Sequence, residues 1–216
     1  LTMMNEDIDL SVVVPLYKEE ENIGAFLVRI IPVLSKMAVQ YEIIFCLDPS
    51  PDRSEQIVED EIKSNPNLRL IVFSRRFGQP AATMAGILSC EGKNCVVIDI
   101  DLQDPPEIIP QMYEKLKEGY EVISARRRSR KGETIIKRFI SRIGYQVISR
   151  ISDIDIPSDV GDFRIMTRKV IEELRRLQET HGFLRGLVSF VGFRQTTIDY
   201  DREARHSGHG KYNRMF

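Results

Sequence analysis

Nowhere in these 216 residues is there an apolar run of the roughly 18 residues that a helix needs to cross a bilayer. The opening stretch "LTMMNEDIDL" also lacks the basic and apolar regions of a signal peptide. By itself, then, the sequence predicts a soluble chain. An excess of one charge is missing too. The 31 Lys and Arg stand against 32 Asp and Glu, a formal net charge of −1, which gives no global pull towards nucleic acid. Cysteine is scarce: Cys46, Cys90 and Cys95 are odd in number, lie in apolar surroundings and form no C-x-x-C pair. That argues against a disulfide framework or zinc site and for reduced, buried thiols in a cytoplasmic compartment. His181, His206 and His209 have no ligand-like spacing with other metal-binding residue types and read as surface or loop histidines. Neither G-x-G-x-x-G nor G-x-x-x-x-G-K-[ST] occurs, so both the dinucleotide fingerprint and the P-loop are excluded.

What is present is an ordinary globular composition, 42% hydrophobic and 29% charged, long enough for one substantial core. Through the first 125 residues, apolar β-branched runs alternate with longer helical patterns. "LSVVVPL" (10–16), "YEIIFCL" (41–47), "LRLIVF" (68–73), "CVVIDI" (95–100) and "YEVISA" (120–125) read as strands buried on both faces of a mainly parallel sheet. Helices are expected at 20–38, 53–64, 79–91 and 106–118. This alternation predicts a doubly wound α/β structure. Ligands in such sheets bind beyond the carboxyl ends of the strands, which here carry Pro15–Glu19, Asp48–Asp52, Arg75–Gln79 and Asp99–Gln103.

The stretch "VVIDIDLQDPPE" (96–107) places three acids close together, and close carboxylates repel unless a cation, a donor or water relieves them. Asp104 fits a helix cap ahead of Pro105 and Pro106. Asp99 and Asp101 are not explained that way. Two apart in extended backbone, they leave the same face and suit a divalent cation carrying phosphates.

After Ala125 the character changes. Eight basic residues and one acid, Glu133, lie between Arg126 and Arg142. Ile136, Ile140, Ile143, Val147 and Ile151 then fall at helical spacing with a cationic rim, which suits either a core-facing helix or one lying on an anionic membrane. "DFRIMT" (162–167) and "FRQTTIDYD" (193–201) read as further strands, with helices near 168–178 and in "HGFLRGLVSFVG". The end, "REARHSGHGKYNRMF", is basic and punctuated by glycine, as a mobile loop would be.

Four of these motifs, in this order, resemble the inverting family 2 glycosyltransferases: "VVVPLYKEEENI", "IDIDLQDPPE", "VGDFRIMTRK" and "REARHSGHGKY". The likeness is to the polyprenyl-phosphate branch, and "DVGDFR" and "FLRGLVSFVGFRQ" look most like its bactoprenol members. The resemblance implies a GT-A fold, a Rossmann-like mainly parallel sheet with helices on both faces. Residues 1–125 would form a nucleotide-sugar-binding half, and 126–216 the acceptor-side and membrane-interface half of the same domain. It implies that Pro15, Tyr17 and Glu19 hold the base and ribose, that Asp48 contacts the base, and that Asp99 and Ile100 also touch the nucleotide. Asp101 and Gln103 would hold Mg²⁺ or Mn²⁺, Arg126, Arg205 and Lys211 would surround the diphosphate or lipid phosphate, and Asp162 would serve catalysis. The family's usual D-D-G-S turn is altered here to "CLDPSPD", with Leu47 and Pro49 at the positions of the first Asp and the Gly.

The partners so implied are a nucleoside-diphosphate sugar, UDP-linked by preference, a polyprenyl phosphate and an anionic membrane surface, with no nucleic acid; a homo-oligomer stays open. The resemblance places the protein at the cytoplasmic face of the membrane, with this sequence stopping short of two transmembrane helices. Two alternatives stand beside it: a family 2 enzyme acting on a saccharide or protein, and a non-catalytic nucleotide-sugar-binding scaffold.

Overall fold

The computed structural model describes residues 8–128, 160–177 and 184–201. Leu10–Leu16 forms β1, buried at every position, and Tyr41–Leu47 forms β2 beside it, parallel and in register from Leu10↔Tyr41 to Leu16↔Leu47. β3 (Leu68–Val72) and β4 (Asn94–Val97) extend the parallel set on either flank. β5 (Val122–Arg127), β6 (Val160–Thr167) and β7 (Gln195–Tyr200) complete one sheet of order β3-β2-β1-β4-β6-β5-β7. β6 runs antiparallel to both β4 and β5, while β7 returns parallel to β5. β5 crosses residue 125, so the two halves expected from the sequence share a strand.

Continuous apolar strands need cover on both faces, and helices supply it. One face packs against α1 (Ile23–Lys36), α2 (Ser54–Ser64) and α4 (Ile109–Lys117), through Phe26, Ile30, Val58, Ile109 and Met112. The other packs against α3 (Gln79–Ser89), α5 (Arg168–Arg176) and α6 (Leu184–Phe190), through Met84, Ile87, Ile171, Leu174 and Val188. Cys46, Cys90 and Cys95 are free and buried on that second side. Contact there is tight at Gly86 of α3. A Cβ at that position would stand 2.3 Å from a Val13 methyl and 2.7 Å from Cys46 Sγ. Among the described residues no helix is long and apolar enough to cross a membrane.

β4 is shorter than the run "CVVIDI". Its last ladder contact beyond Val97 is Ile98 N–H to Val13 O, 3.1 Å. Ile98, Ile100 and Leu102 are nevertheless all buried in the same core, so the two-residue alternation outlasts the ladder. The chain then turns at Leu102, whose φ of 60° is uncommon for a residue with a branched side chain.

Candidate active site

The carboxyl ends of β1, β2 and β4 and the first turn of α3 enclose an open cleft. Pro15, Leu16, Tyr17, Glu19, Asp48, Gln79, Ala82, Asp99, Ile100 and Asp101 line it. Seven of these were singled out from the sequence: Pro15, Tyr17, Glu19, Asp48, Asp99, Ile100 and Asp101.

On the β1–β2 side the acids are held by neutral donors. Asp48 is buried, and its two oxygens accept the Phe77 and Gly78 N–H groups at 2.9 and 2.8 Å. This fixes the loop between β3 and α3, whose turn at Gly78 has φ 89°, a conformation that glycine adopts without strain. Asp52 joins two loops. It accepts the Glu20 and Ser54 N–H groups at 3.3 Å each and the Ser50 hydroxyl at 2.5 Å. Burial would raise its pKa, but the hydrogen bonds from Ser50, Ser54 and the backbone outweigh burial and lower it. Lys18 and Glu19 N–H groups reach Ser50 Oγ and Ser54 Oγ, and Asn22 Nδ2 donates to Glu19 Oε2. The rim carries stacked cations: Arg76 lies 4.2 Å from the centre of the Tyr17 ring, and Arg75 lies 3.9 Å from that of Phe77.

On the β4–β6 side the acids crowd one another. Asp99 accepts Gln79 Nε2 at 2.8 Å. Burial, then the neighbouring charges of Asp104, Asp101 and Asp162, push its carboxyl up to about 7 against the pull of Arg127. Asp101, 8% exposed, accepts the Gln103 N–H at 3.1 Å. Gln103 itself does not line the cleft. The cap expected of Asp104 does not form. Pro105 stands at the start of the short 3₁₀ turn Pro106–Ile108 with no side-chain cap, and Asp104 points inward to the Tyr200 hydroxyl. A carboxyl group buried to 2% exposure needs hydrogen-bond partners, and Tyr200 and Arg127 answer that need better than a helix start does.

Asp162 lies on β6 and pairs with Arg185 Nε of α6 at 3.4 Å. Arg185 also donates to Val160 O at 2.9 Å. Arg164 is fully buried and donates to Gly161 O at 2.9 Å, while its Nε finds no hydrogen-bond partner among the described residues. Burial pulls its pKa down to about 10, with Asp162 acting in the opposite direction. Arg126 is turned to Asp199 across the β5–β7 pair, at 2.6 and 3.1 Å, and does not line the cleft. Arg127, from the basic run that opens at Arg126, is only partly exposed and bonds Tyr200. Arg205, Lys211 and the stripe from Ile136 to Ile151 lie outside the described residues.

Gln79, Arg127, Arg185 and Tyr200 are the neighbours that the sequence reading did not assign. Among the described residues, no three His, Cys, Asp or Glu side chains stand together as a ready metal cage. The donor set still fits a hard cation, because Asp99 and Asp101 bring two carboxylates to one cleft. Mg²⁺-type ions commonly take one or two carboxylates and complete their shell with phosphate oxygens and water.

Residues 11–175 match the family model described as glycosyl transferase family 2. The chain is 47% identical over 97% of its length to the uncharacterized glycosyltransferase YkcC of Bacillus subtilis, and 35% identical over 94% to the bactoprenol glucosyl transferase of Shigella phage SfV. It spans 65% and 66% of those relatives' own lengths. Among solved structures it resembles the mannosyltransferase PcManGT of Pyrobaculum calidifontis in complex with GDP-Man and Mn²⁺. That likeness has a TM-score of 0.61 and 18% identity, covering 91% of this chain and 58% of that one. It also resembles S. aureus TarS 1-349 in complex with UDP, with a TM-score of 0.59 and 16% identity, covering 88% of this chain and 58% of that one.

Proposed function

The chain belongs to glycosyl transferase family 2, and from that membership we propose that it moves a sugar from a nucleoside-diphosphate sugar, UDP-linked by preference, to a polyprenyl phosphate at the cytoplasmic face of a membrane. The observation that carries the reading is that Tyr17, Glu19 and Asp48 line the same cleft as Asp99 and Asp101. The first group offers an aromatic face and hydrogen-bonding loops to a nucleoside. The second offers carboxylates where a diphosphate would bring its cation.

The reaction is one displacement at the sugar's anomeric carbon. A phosphate oxygen of the acceptor forms the new C–O bond as the bond to the diphosphate breaks on the opposite side, so the configuration inverts. Negative charge grows on the departing diphosphate, and a bound Mg²⁺ or Mn²⁺ would supply the offsetting positive charge. Asp101, with Asp99 beside it, would hold that ion. The acceptor needs little help to become a nucleophile, since a phosphate monoester's second pKa is about 6 and it is largely dianionic at neutral pH. Asp162, paired with Arg185 and outside the cleft lining, therefore orients the acceptor side more than it removes a proton. Arg205 and Lys211 are assigned to the diphosphate or the lipid phosphate.

The test is transfer. With Mn²⁺ present, nucleotide sugars are screened by thermal shift, since a ligand of the folded state raises its melting temperature. The stabilising donor is then offered a short polyprenyl phosphate, and the lipid product is followed by mass. Transfer to a saccharide or protein acceptor in its place would overturn the acceptor assignment. Donor binding without any transfer would favour a scaffold.

A further inference from the structure

The loop that carries Asp99 and Asp101 is anchored at both ends. Behind it, Ile98 N–H bonds Val13 O at the end of the ladder, and Gln79 holds Asp99. Ahead of it, Asp104 is gripped by two residues far away in the chain. The Tyr200 hydroxyl donates to Asp104 Oδ1, Arg127 Nε donates to the same hydroxyl oxygen at 3.0 Å, and Arg127 Nη2 stands 3.7 Å from Asp104. A tyrosine hydroxyl has one proton to give and lone pairs to receive, so the chain of donation runs from Arg127 through Tyr200 to Asp104. Burial and Asp104 push the Tyr200 pKa upward, which keeps that proton in place at neutral pH.

The cluster is boxed in. The Tyr200 ring meets Phe163 edge-on, with centres 6.2 Å apart, and Phe163 is the residue after Asp162. Gly161 leaves room for the guanidinium, since a Cβ there would come within 3.1 Å of Arg127 Nη2. β5 and β7 thus reach one carboxylate, three residues beyond Asp101, and β6 packs against the two residues that do so. Between Asp101 and Asp104 lies Leu102 in its left-handed conformation. Such backbone persists only where its surroundings over-determine it, and here Asp101 bonded to the Gln103 N–H on one side and Asp104 bonded to Tyr200 on the other do so.

We propose that Tyr200 and Arg127 are positioning residues which, through Asp104, hold the acid loop in the shape that presents Asp101 to a cation-bound nucleoside diphosphate. The proposal rests on the assignment of Asp101 to that cation. Removing the Tyr200 oxygen leaves Asp104 buried without its closest donor, frees Leu102 to relax, and carries Asp101 away from the cleft. The ring of Tyr17 and the loops around Asp48 and Asp52 are not touched by the change.

Calorimetry with UDP, in Mn²⁺ and in chelator, reads this directly. In Tyr200→Phe, which keeps the ring against Phe163, affinity for UDP in Mn²⁺ should fall about tenfold while affinity in chelator stays at the wild-type value. Arg127→Gln should show the same split, with partial recovery in Arg127→Lys, and it serves if Tyr200→Phe does not fold. A merely structural role would lower the melting temperature and leave the Mn²⁺-dependent affinity of the folded variants unchanged, and that result overturns the proposal. Wild type that binds UDP equally with and without Mn²⁺ would overturn the cation assignment and this inference with it. Wild type that needs Mn²⁺, beside variants that need it equally, would sink the positioning role alone.

Discussion

On the β1–β2 side of the cleft, Asp48 and Asp52 are met by backbone N–H groups and serine hydroxyls. On the β4–β6 side Asp99, Asp101 and Asp104 each take a neutral donor, Gln79, the Gln103 N–H and the Tyr200 hydroxyl, with Arg127 near Asp104 and Arg185 near Asp162, yet the acids still act on one another. Neutral donors aimed along a carboxylate's lone pairs finish its electrostatics, and such an acid becomes a fixed part of the scaffold. Arginines set beside a crowd of acids do not finish it. Burial and three neighbouring carboxylates outweigh Arg127 at Asp99, which is why that carboxyl is raised to about 7. The first side is built to hold loops still; on the second, the mutual repulsion of the acids is what a phosphate-bound cation would relieve.

The comparison breaks first if Asp48 is not structural. Asp48→Ala should cost about 3 kcal/mol in urea unfolding, since it leaves two N–H groups without their charged acceptor. A loss well under 1 kcal/mol would show that the loop stands without it. Asp101→Asn should have the opposite profile, with stability nearly unchanged and UDP affinity in Mn²⁺ down roughly thirtyfold, about 2 kcal/mol. Equal affinity for mutant and wild type in calorimetry would remove Asp101 from the cation. Asp162→Asn should leave donor affinity alone and slow transfer at least about tenfold, ~1.4 kcal/mol in barrier. Donor binding lost as severely as in Asp101→Asn would move Asp162 to the donor side.

The smallest effect concerns Asp99 and sharpens the contrast by pH. Its carboxyl has an ordinary value of 3.8 and a folded value of about 7, so between those limits the folded protein holds a proton that the unfolded chain gives up. Stability from this group therefore falls as pH rises through that window. Asp99→Asn should raise the melting temperature by about 2 °C at pH 8 and leave it unchanged at pH 4. The same shift at both pH values would mean that charge is not the cause.

Much of the parallel half was legible because its strands are continuous apolar runs. β1 and β2 end where "LSVVVPL" and "YEIIFCL" end. The acid loop read as strand because Ile98, Ile100 and Leu102 keep the two-residue burial pattern after the hydrogen bonds have stopped, and composition cannot tell the two apart. Arg126 and Arg127 were indistinguishable in sequence. The irregularity between Ser124 and Arg126 in the β5–β6 pairing decides which of them turns to Asp104 and which to Asp199. Tyr200 meets Asp104 across 96 positions, and no local pattern marks a contact of that span.

Gly86 shows how a helix far from any chemistry sets the tolerance of the cleft. As a rod laid on the sheet, α3 bears closely on β1 at Gly86, seven residues from the end that carries Gln79, or about 10 Å at 1.5 Å per residue. At the bearing point there is no clearance for even one carbon, with Val13 at 2.3 Å. At the working end, Gln79 must reach Asp99 at 2.8 Å. A single methyl at the bearing would lift or tilt the whole rod, and the displacement would reach Asp99 with no change to any residue that a ligand touches. The fit of α3 onto β1 is thus the gauge by which the cleft is assembled.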